Sequence, residues 1–497
     1  MSESRTSYKE ILRSTFIMGG ASFLKILIGV VRIKVLAVVL GPTGVGLIGV
    51  LTSAMTMGAS VAGMGLNSSG VRQIAASTDD EEKLPYVRRA LWYANLFLGI
   101  LGGLVFWVFR NQISELLFDS TENATLISLL GIGVFLSVLC GAQYALLQGM
   151  RRIGDLARAT IISSVVSAVI GVGAVVLWKE QGIIIFVIVG PLATIVIGSY
   201  YAAKLPRPGH MVFSLKRIYH EWRGMFLLGI VMMSSGVMQA ISQLAVRIWV
   251  TQDFGLEATG YFQASWAISV TYIGLILSAM AADYYPKLAA NIKDVKTSNS
   301  LVNDQTEMAL MMAGPPLIIM LGWTPIVINL LYSAEFVESV PLLRWQLCGD
   351  LFKVASWPLG YVLIARGHSR LFFVTELMWV SSYLGLIYYG LPIVGLEATG
   401  LMFFASYVLY LAVMLLLVGR LTGFLWTRLV LILFTITSVS MFGIFAATLH
   451  SELLTAIVSG VIGVAFGLYS LQKILKITGM DAQVSVFFAE LKARYRK

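Results

Sequence analysis

The chain has 497 residues, the length of about three soluble domains, yet 58% of them are apolar, only 12% are charged, and the mean hydropathy is +0.82. That composition excludes a soluble protein. The net charge of +10, from 36 Lys and Arg against 26 Asp and Glu, points in so apolar a chain to loops facing anionic lipid rather than to nucleic acid.

A bilayer is crossed by about 20 apolar residues. Runs of that length fall at 12–40, 44–66, 86–109, 124–148, 158–178, 182–203, 224–251, 257–282, 306–331, 341–365, 370–391, 395–418, 427–449 and 452–474. The runs are continuous rather than alternating, and lipid tolerates only helices or closed barrels. The expected fold class is therefore an all-α polytopic membrane protein of about 14 transmembrane helices. The first run carries Lys25, Arg32 and Lys34 internally and is too long for a signal-peptide h-region, so the N-terminus is expected to be retained. Basic residues gather in the N-terminal tail (Arg5, Lys9) and in every second connection, among them Arg72, Arg88, Arg151, Arg207, Lys293 and Arg366. The alternate connections hold only Arg110 and Lys179 against acids such as Glu115, Asp253, Glu335 and Glu452. By the positive-inside rule both termini are cytoplasmic, which requires an even number of spans. The segment from Asp481 to Lys497 has an apolar cluster followed by Lys492, Arg494, Arg496 and Lys497, as either an interfacial helix or a solvated basic tail would.

The chain also repeats. Gly41-Pro-Thr-Gly-Val-Gly46 aligns with Gly255-Leu-Glu-Ala-Thr-Gly260 at an offset of 214, and Ala75-Ala76 falls on Ala289-Ala290 in the same register. Gln148 to Arg152 then falls on Arg366 to Arg370, and Gly182 on Gly400, at an offset of 218. Gly-Leu-Glu-Ala-Thr-Gly occurs verbatim at both 255 and 395, where a tight hairpin needs a glycine with positive φ. Each repeat has six spans, so the two share one orientation and imply a central cavity between two bundles. The expected domains are a six-helix bundle at 1–203, a basic cytoplasmic linker at 204–223, a second six-helix bundle at 224–418, an additional helix pair at 419–475 and a basic amphipathic tail at 476–497.

Charges inside the bilayer cost about 2.5 to 3.5 kcal/mol each on insertion scales and so mark a partner or a function. In span one Ser22, Lys25, Gly29 and Arg32 share a face, while Lys34, nearly opposite Lys25, is expected to snorkel to the outer interface. In span seven Ser235, Gln239, Gln243 and Arg247 recur every four residues, and in span ten Gln346, Asp350, Lys353 and Trp357 form a third stripe. Span eleven adds Glu376, Trp379 and Tyr383. Lys25, Arg32, Arg247 and Lys353 suit an anion, with phosphate or pyrophosphate the natural match to arginine and lysine. The plainer alternative pairs Asp350 with Lys353, and Glu376 with Arg370 or Arg247. Asp350 and Glu376 are otherwise candidates for coupling to protons or sodium.

Other chemistry is missing. There is no phosphate-binding Gly-x-x-x-x-Gly-Lys-Ser/Thr loop, and Gly63-Met-Gly65 lacks the rest of a dinucleotide fingerprint, so no cofactor is expected. His210, His220, His368 and His450 are unrelated in spacing, and Cys140 and Cys348 both lie in apolar runs, so neither a metal site nor a disulfide framework is supported. The longest outer loop, about Arg110 to Asn123, cannot house a catalytic domain.

With these residues in view, the chain resembles the polysaccharide-type (Wzx) flippases of the multidrug/oligosaccharidyl-lipid/polysaccharide exporter superfamily. The resemblance rests on the stretch Lys34-Val-Leu-Ala-Val-Val-Leu-Gly-Pro-Thr-Gly-Val-Gly46, on Leu147-Gln-Gly149 with its following basic residues, and on the repeated hairpin glycines. It covers spans one to twelve; the final pair of spans belongs only to the longer members. It implies a bacterial inner-membrane protein, not an enzyme, that flips an undecaprenyl-diphosphate-linked oligosaccharide to the periplasmic leaflet by ion-coupled alternating access. On this reading Lys25, Arg32, Gln239, Gln243, Arg247 and Lys353 line the diphosphate and glycan cavity. Its implied partners are the lipid-linked glycan, membrane lipids, a polysaccharide polymerase and a chain-length regulator, around a monomer without nucleic acid. The alternatives are a cation-coupled multidrug exporter of the same fold, a peptidoglycan-precursor flippase and a membrane-bound glycan enzyme.

Overall fold

The computed structural model describes the backbone of residues 2–205 and 214–478, and leaves aside the side chains of residues 2–18, 231, 235, 279, 282, 477 and 478. The expected tail from Asp481 onward, most of the linker with Arg207, the side chains of Arg5 and Lys9, and that of Ser235 therefore lie outside the described residues. Every element among the described residues is helical, as a chain must be when its backbone amides and carbonyls meet lipid.

In chain order the helices are α1 (Ser2–Gly63), α2 (Leu66–Ala76), α3 (Leu84–Val108), α4 (Arg110–Phe118), α5 (Ala124–Gly149), α6 (Ile153–Trp178), α7 (Gly182–Ala203) and α8 (Leu215–Asn291). They continue as α9 (Val295–Gly322), α10 (Thr324–Leu331), α11 (Ser339–Ala365), α12 (Ser369–Val394), α13 (Ala398–Thr422), α14 (Arg428–Ala447) and α15 (Glu452–Thr478). Nine helical stretches among the described residues are long and apolar enough to cross a membrane. Three of them, Ile153–Ala203, Met232–Ser278 and Ser369–Thr422, are 51, 47 and 54 residues long and hold two spans each. With the two arms of α1 the total agrees with the expected fourteen.

The repeated glycines divide the long helices. α1 breaks at Gly41 (φ 63, ψ −170), followed by Pro42, and α8 breaks at Gly255 (φ 85, ψ 175). Between α12 and α13 the same role falls to Gly395 (φ 73, ψ −151). All three conformations are open to glycine and strained for other residues. Past these hairpins the register differs from the expected offset of 218. Arg151 (φ 54) matches Gly367 (φ 78), and the cap Arg152 (φ −82, ψ 56) matches His368 (φ −80, ψ 50). Lys179 (φ 48) likewise stands for Gly395. Each pair is 216 apart, so the adjustment between the repeats is two residues rather than four. The residue identities concealed this because the left-handed position is glycine in only one copy. Gly182 and Gly400 accordingly meet different neighbours, α6 at Ala174 and α11 at Leu342.

The chain forms two compact units, Met1–Ala264 with Leu330–Phe336, and Ser265–Asn329 with Val337–Lys497. The division falls inside α8. The first arm of α8 joins the first unit because Leu244 enters its apolar core with Leu36, Val50, Leu130 and Val187. In the first unit α5 packs against α3 and α7, and α6 against α7; in the second α11 packs against α9 and α13, and α12 against α13. Equivalent helices thus choose equivalent neighbours.

The first unit also contains a meeting of repeat mates. A Cβ on Gly46 would strike the carbonyl of Leu256 and the amide of Gly260, and one on Gly260 would strike the carbonyl of Pro42. Gly49 leaves room for the side chain of Gln263. Gly46 with Gly260 and Gly49 with Gln263 are both 214 apart, which is the contact a local two-fold axis between the two hairpins produces.

The added helix pair is fixed to the second unit. α15 lies along α9, with the Lys473 amine 2.6 Å from Glu307 and Trp323 Nε1 donating to the Ala456 carbonyl at 2.8 Å. Arg344 of α11 reaches Glu452 at 2.5 Å. Asn303 donates to the Leu425 carbonyl at 3.1 Å and accepts from the Thr427 amide at 2.8 Å, pinning the turn before α14. At the start of α9, Asp294 caps the helix by accepting from the Lys296 and Thr297 amides. Its carboxyl is held below the usual range chiefly by the Thr297 hydroxyl.

Overpacking a close backbone contact costs about 1 to 3 kcal/mol. Gly260→Val should lower the thermal midpoint of the detergent-solubilised protein accordingly, whereas Gly274→Ala, in the same helix with open space around it, should leave the midpoint unchanged.

Candidate functional site

The cations expected in the membrane have different fates in the first unit. Arg32 is half-buried; its guanidinium carbon lies 4.8 Å from the centroid of the Phe186 ring on α7. Among the described residues it makes no ion pair and its buried Nε has no hydrogen-bond partner. A cation held only by an aromatic face keeps its N–H donors for another ligand. Lys25, two turns earlier on α1, is exposed, and so is its repeat mate Gln239 on α8. The exposed apolar face of this arm, Leu24, Leu27 and Val31, is offset from the line of Lys25 and Arg32, as the 3.6-residue period requires.

Arg247 is instead committed to the protein. Only 2% exposed, it donates from Nε and Nη2 to Gln263 Oε1 at 3.0 and 2.6 Å, and from Nη1 to the Gln243 carbonyl at 2.8 Å. Its guanidinium also lies over Phe262, 5.3 Å from the ring centroid. A buried charge needs such saturation, so Arg247 and Gln243 hold the hairpin of α8 rather than present a free anion-binding face. Lys34 has a partner of its own: its amine donates to the Tyr332 carbonyl at 2.5 Å, in the connection expected at the outer interface and just beyond the C-terminus of α10, where carbonyls lack helical partners and the dipole favours a cation.

In the second unit the charges lie among aromatic rings. Asp350 on α11 is fully buried and accepts from Ser269 Oγ at 2.7 Å through Oδ2. Its Oδ1 and both polar side-chain atoms of Gln346, one turn away, are buried without a protein hydrogen bond. Lys353 makes no ion pair among the described residues and lies 5.9 Å from the centroid of Phe403 and 5.7 Å from that of Tyr407. The simple Asp350–Lys353 pair is therefore not formed. Glu376 is not paired with Arg370, which is exposed; it accepts from Tyr410 Oη at 3.0 Å. Trp379 stacks on Tyr383 at 5.5 Å, and Tyr383 on Trp266 at 6.3 Å. These rings are buried, so they pack the unit rather than offer a face to sugars.

Several partners escaped the sequence reading. Phe186, Ser269 and Tyr410 lie on other helices from the charges they meet, and Gln263 lies on the other arm of α8 from Arg247, so helical periodicity does not announce them. Gln263 alone had a signal: it stands 214 residues after Gly49, on the repeat register.

The fold defines an all-α, multi-pass membrane protein. More particularly, the chain belongs to the polysaccharide biosynthesis protein family, whose pattern matches residues 35–341. The Lipid III flippase of Escherichia coli (strain K12) is 23% identical over 396 residues, 78% of this chain and 94% of that one. The teichuronic acid biosynthesis protein TuaB of Bacillus subtilis (strain 168) is 25% identical over 339 residues, 66% of each chain. Among solved structures, the lipid II flippase MurJ in its inward closed conformation superposes with a TM-score of 0.69 at 15% identity, covering 93% of this chain and 99% of that one. An inward-facing multidrug-resistance MATE family transporter gives 0.68 at 14% identity, with 82% and 98% covered.

Removing an acceptor from a buried charge costs about 1.5 to 3 kcal/mol. Gln263→Ala should therefore lower the stability of the solubilised protein by that order, read as a shift in thermal midpoint. Gln239→Ala, at an exposed position, should leave the midpoint unchanged.

Proposed function

We propose that this transporter flips an undecaprenyl-diphosphate-linked oligosaccharide from the cytoplasmic to the periplasmic leaflet for surface polysaccharide biosynthesis. The observation that carries the reading is Arg32, a membrane-embedded guanidinium with no carboxylate or hydrogen-bond partner among the described residues and only the Phe186 ring beside it. An anionic substrate would complete it; a diphosphate matches the planar fork of arginine, and Lys25 adds a second positive charge on the same side of α1. The named functions of the Escherichia coli and Bacillus subtilis relatives support a lipid-linked glycan as cargo.

In this scheme Arg32 and Lys25 hold the diphosphate, Gln239 meets the glycan, and Arg247 and Gln243 position α8. In the second unit Lys353 supplies a positive charge for the same substrate. Asp350 and Glu376 take up the coupling ion: Asp350 has an unpartnered, fully buried oxygen, and a carboxylate in that setting gains from binding a proton or a cation. Transport proceeds by alternating access, both termini are cytoplasmic, and the protein works beside a polymerase and a chain-length regulator in the bacterial inner membrane. Cationic drugs are poorly suited to span one, where Lys25 and Arg32 would repel them.

A strain lacking the gene should lose its surface glycan and recover it with the intact protein. Arg32→Glu should reduce recovery at least tenfold at equal membrane abundance, while Arg32→Lys, which keeps the charge without the fork, should retain part of it. Full recovery with Arg32→Glu would refute the reading.

A further inference from the structure

A cavity of about 560 Å³ opens in the first unit between α2 and α5, lined by none of the charged residues discussed above. Its polar lining comes from Asn67, Ser68, Ser137, Tyr144 and Gln148, with Cys140 beside them, and contains no charged side chain. Ser137 is committed to the Gly133 carbonyl and Cys140 to that of Pro191. The side chains of Asn67, Ser68, Tyr144 and Gln148 make no hydrogen bond among the described residues; that of Asn67 packs against Gly141. The main chain prepares this opening: Met64 (φ 44) and Gly65 (φ 66) break the helix, so α2 starts anew with Asn67 and Ser68 in its first turn.

On the repeat register, 214 residues on for α2 and 216 for α5, the mates of Asn67, Ser68, Tyr144 and Gln148 in the second unit are Ala281, Ala282, Gly360 and Ile364. The second copy carries small or apolar residues at these positions, and there α8 runs without a break through Ala281 and Ala282, so the restarted helix with its amide and hydroxyl belongs to the first copy. An amide both donates and accepts, as do the hydroxyls of serine and tyrosine. That mixture complements a neutral ligand dense in hydroxyl groups. Lacking a cation, the lining is ill suited to phosphate. Tyr144 adds an aromatic surface for the apolar face of a pyranose.

From this geometry we propose that the cavity between α2 and α5 is a carbohydrate subsite, sized for about one or two sugar rings. Resting on the transport reading, it assigns the glycan and the diphosphate to different places: sugars against Asn67, Ser68, Tyr144 and Gln148, and phosphates at Arg32 and Lys25.

The test is cysteine protection. In a Cys140→Ala, Cys348→Ala background, Ser68→Cys is labelled in inside-out vesicles by a membrane-impermeant maleimide, with Gln148→Cys as a second reporter. Three probes are compared: the lipid-linked oligosaccharide pool extracted from a deletion strain, the free oligosaccharide released from it by mild acid, and undecaprenyl phosphate. The first two should slow labelling at least fivefold, and undecaprenyl phosphate less than twofold. Adding Asn67→Ala with Tyr144→Leu should abolish protection at unchanged protein yield. Equal protection by undecaprenyl phosphate, or none by either saccharide at both reporters because the cavity holds only water, overturns the subsite. A deletion strain with unchanged surface glycan would instead overturn the transport reading, independently of the protection result.

Discussion

Two helices approach only as closely as the side chains between them allow, and in lipid no hydrophobic force between helices compensates for a gap. The crossing of the two repeated hairpins therefore depends on glycine. Gly46 and Gly260 each face the backbone of the other hairpin, and Gly49 gives its space to Gln263. The buried cation of the unit depends on this contact, because Gln263 is also the acceptor that holds Arg247. One backbone approach thus joins the hairpins, orders a glutamine and neutralises the cost of a guanidinium in the membrane.

Against that arrangement Arg32 has a different meaning. It is one residue away from the repeat mate of Arg247, yet the protein supplies it with a ring instead of acceptors. The protein saturates one arginine and leaves its near-counterpart open, and the proposed anion site rests on that contrast. The second unit follows a related logic with acids: Ser269 gives Asp350 a hydrogen bond and Tyr410 gives Glu376 one, while Lys353 lies among rings and acts on both carboxylates through its charge without a direct salt bridge.

The last two helices illustrate packing that no repeat could announce. α15 follows α9 and is held near its two ends by ions, Lys473 to Glu307 and Glu452 to Arg344. These pairs join residues more than a hundred positions apart. Low dielectric strengthens such attractions and makes an unmatched member costly, so the helix pair is an integral wall of the second unit.

By itself the sequence determined the all-helical membrane fold, the positions of the spans and the existence of the repeat, because hydrophobic length and the backbone's need for hydrogen bonds leave one solution in lipid. It also marked the hinge glycines, since a positive φ selects a residue type. Which polar residues are free was decided only by the tertiary structure. Arg32 and Arg247 look alike along their helices, and Asn67, Tyr144 and Gln148 look like ordinary helix residues. Their difference lies in Gln263, Phe186 and the opening between α2 and α5, contributed by distant parts of the chain. Periodicity reports which face of a helix a residue occupies; only the packed neighbours decide whether that face is already satisfied.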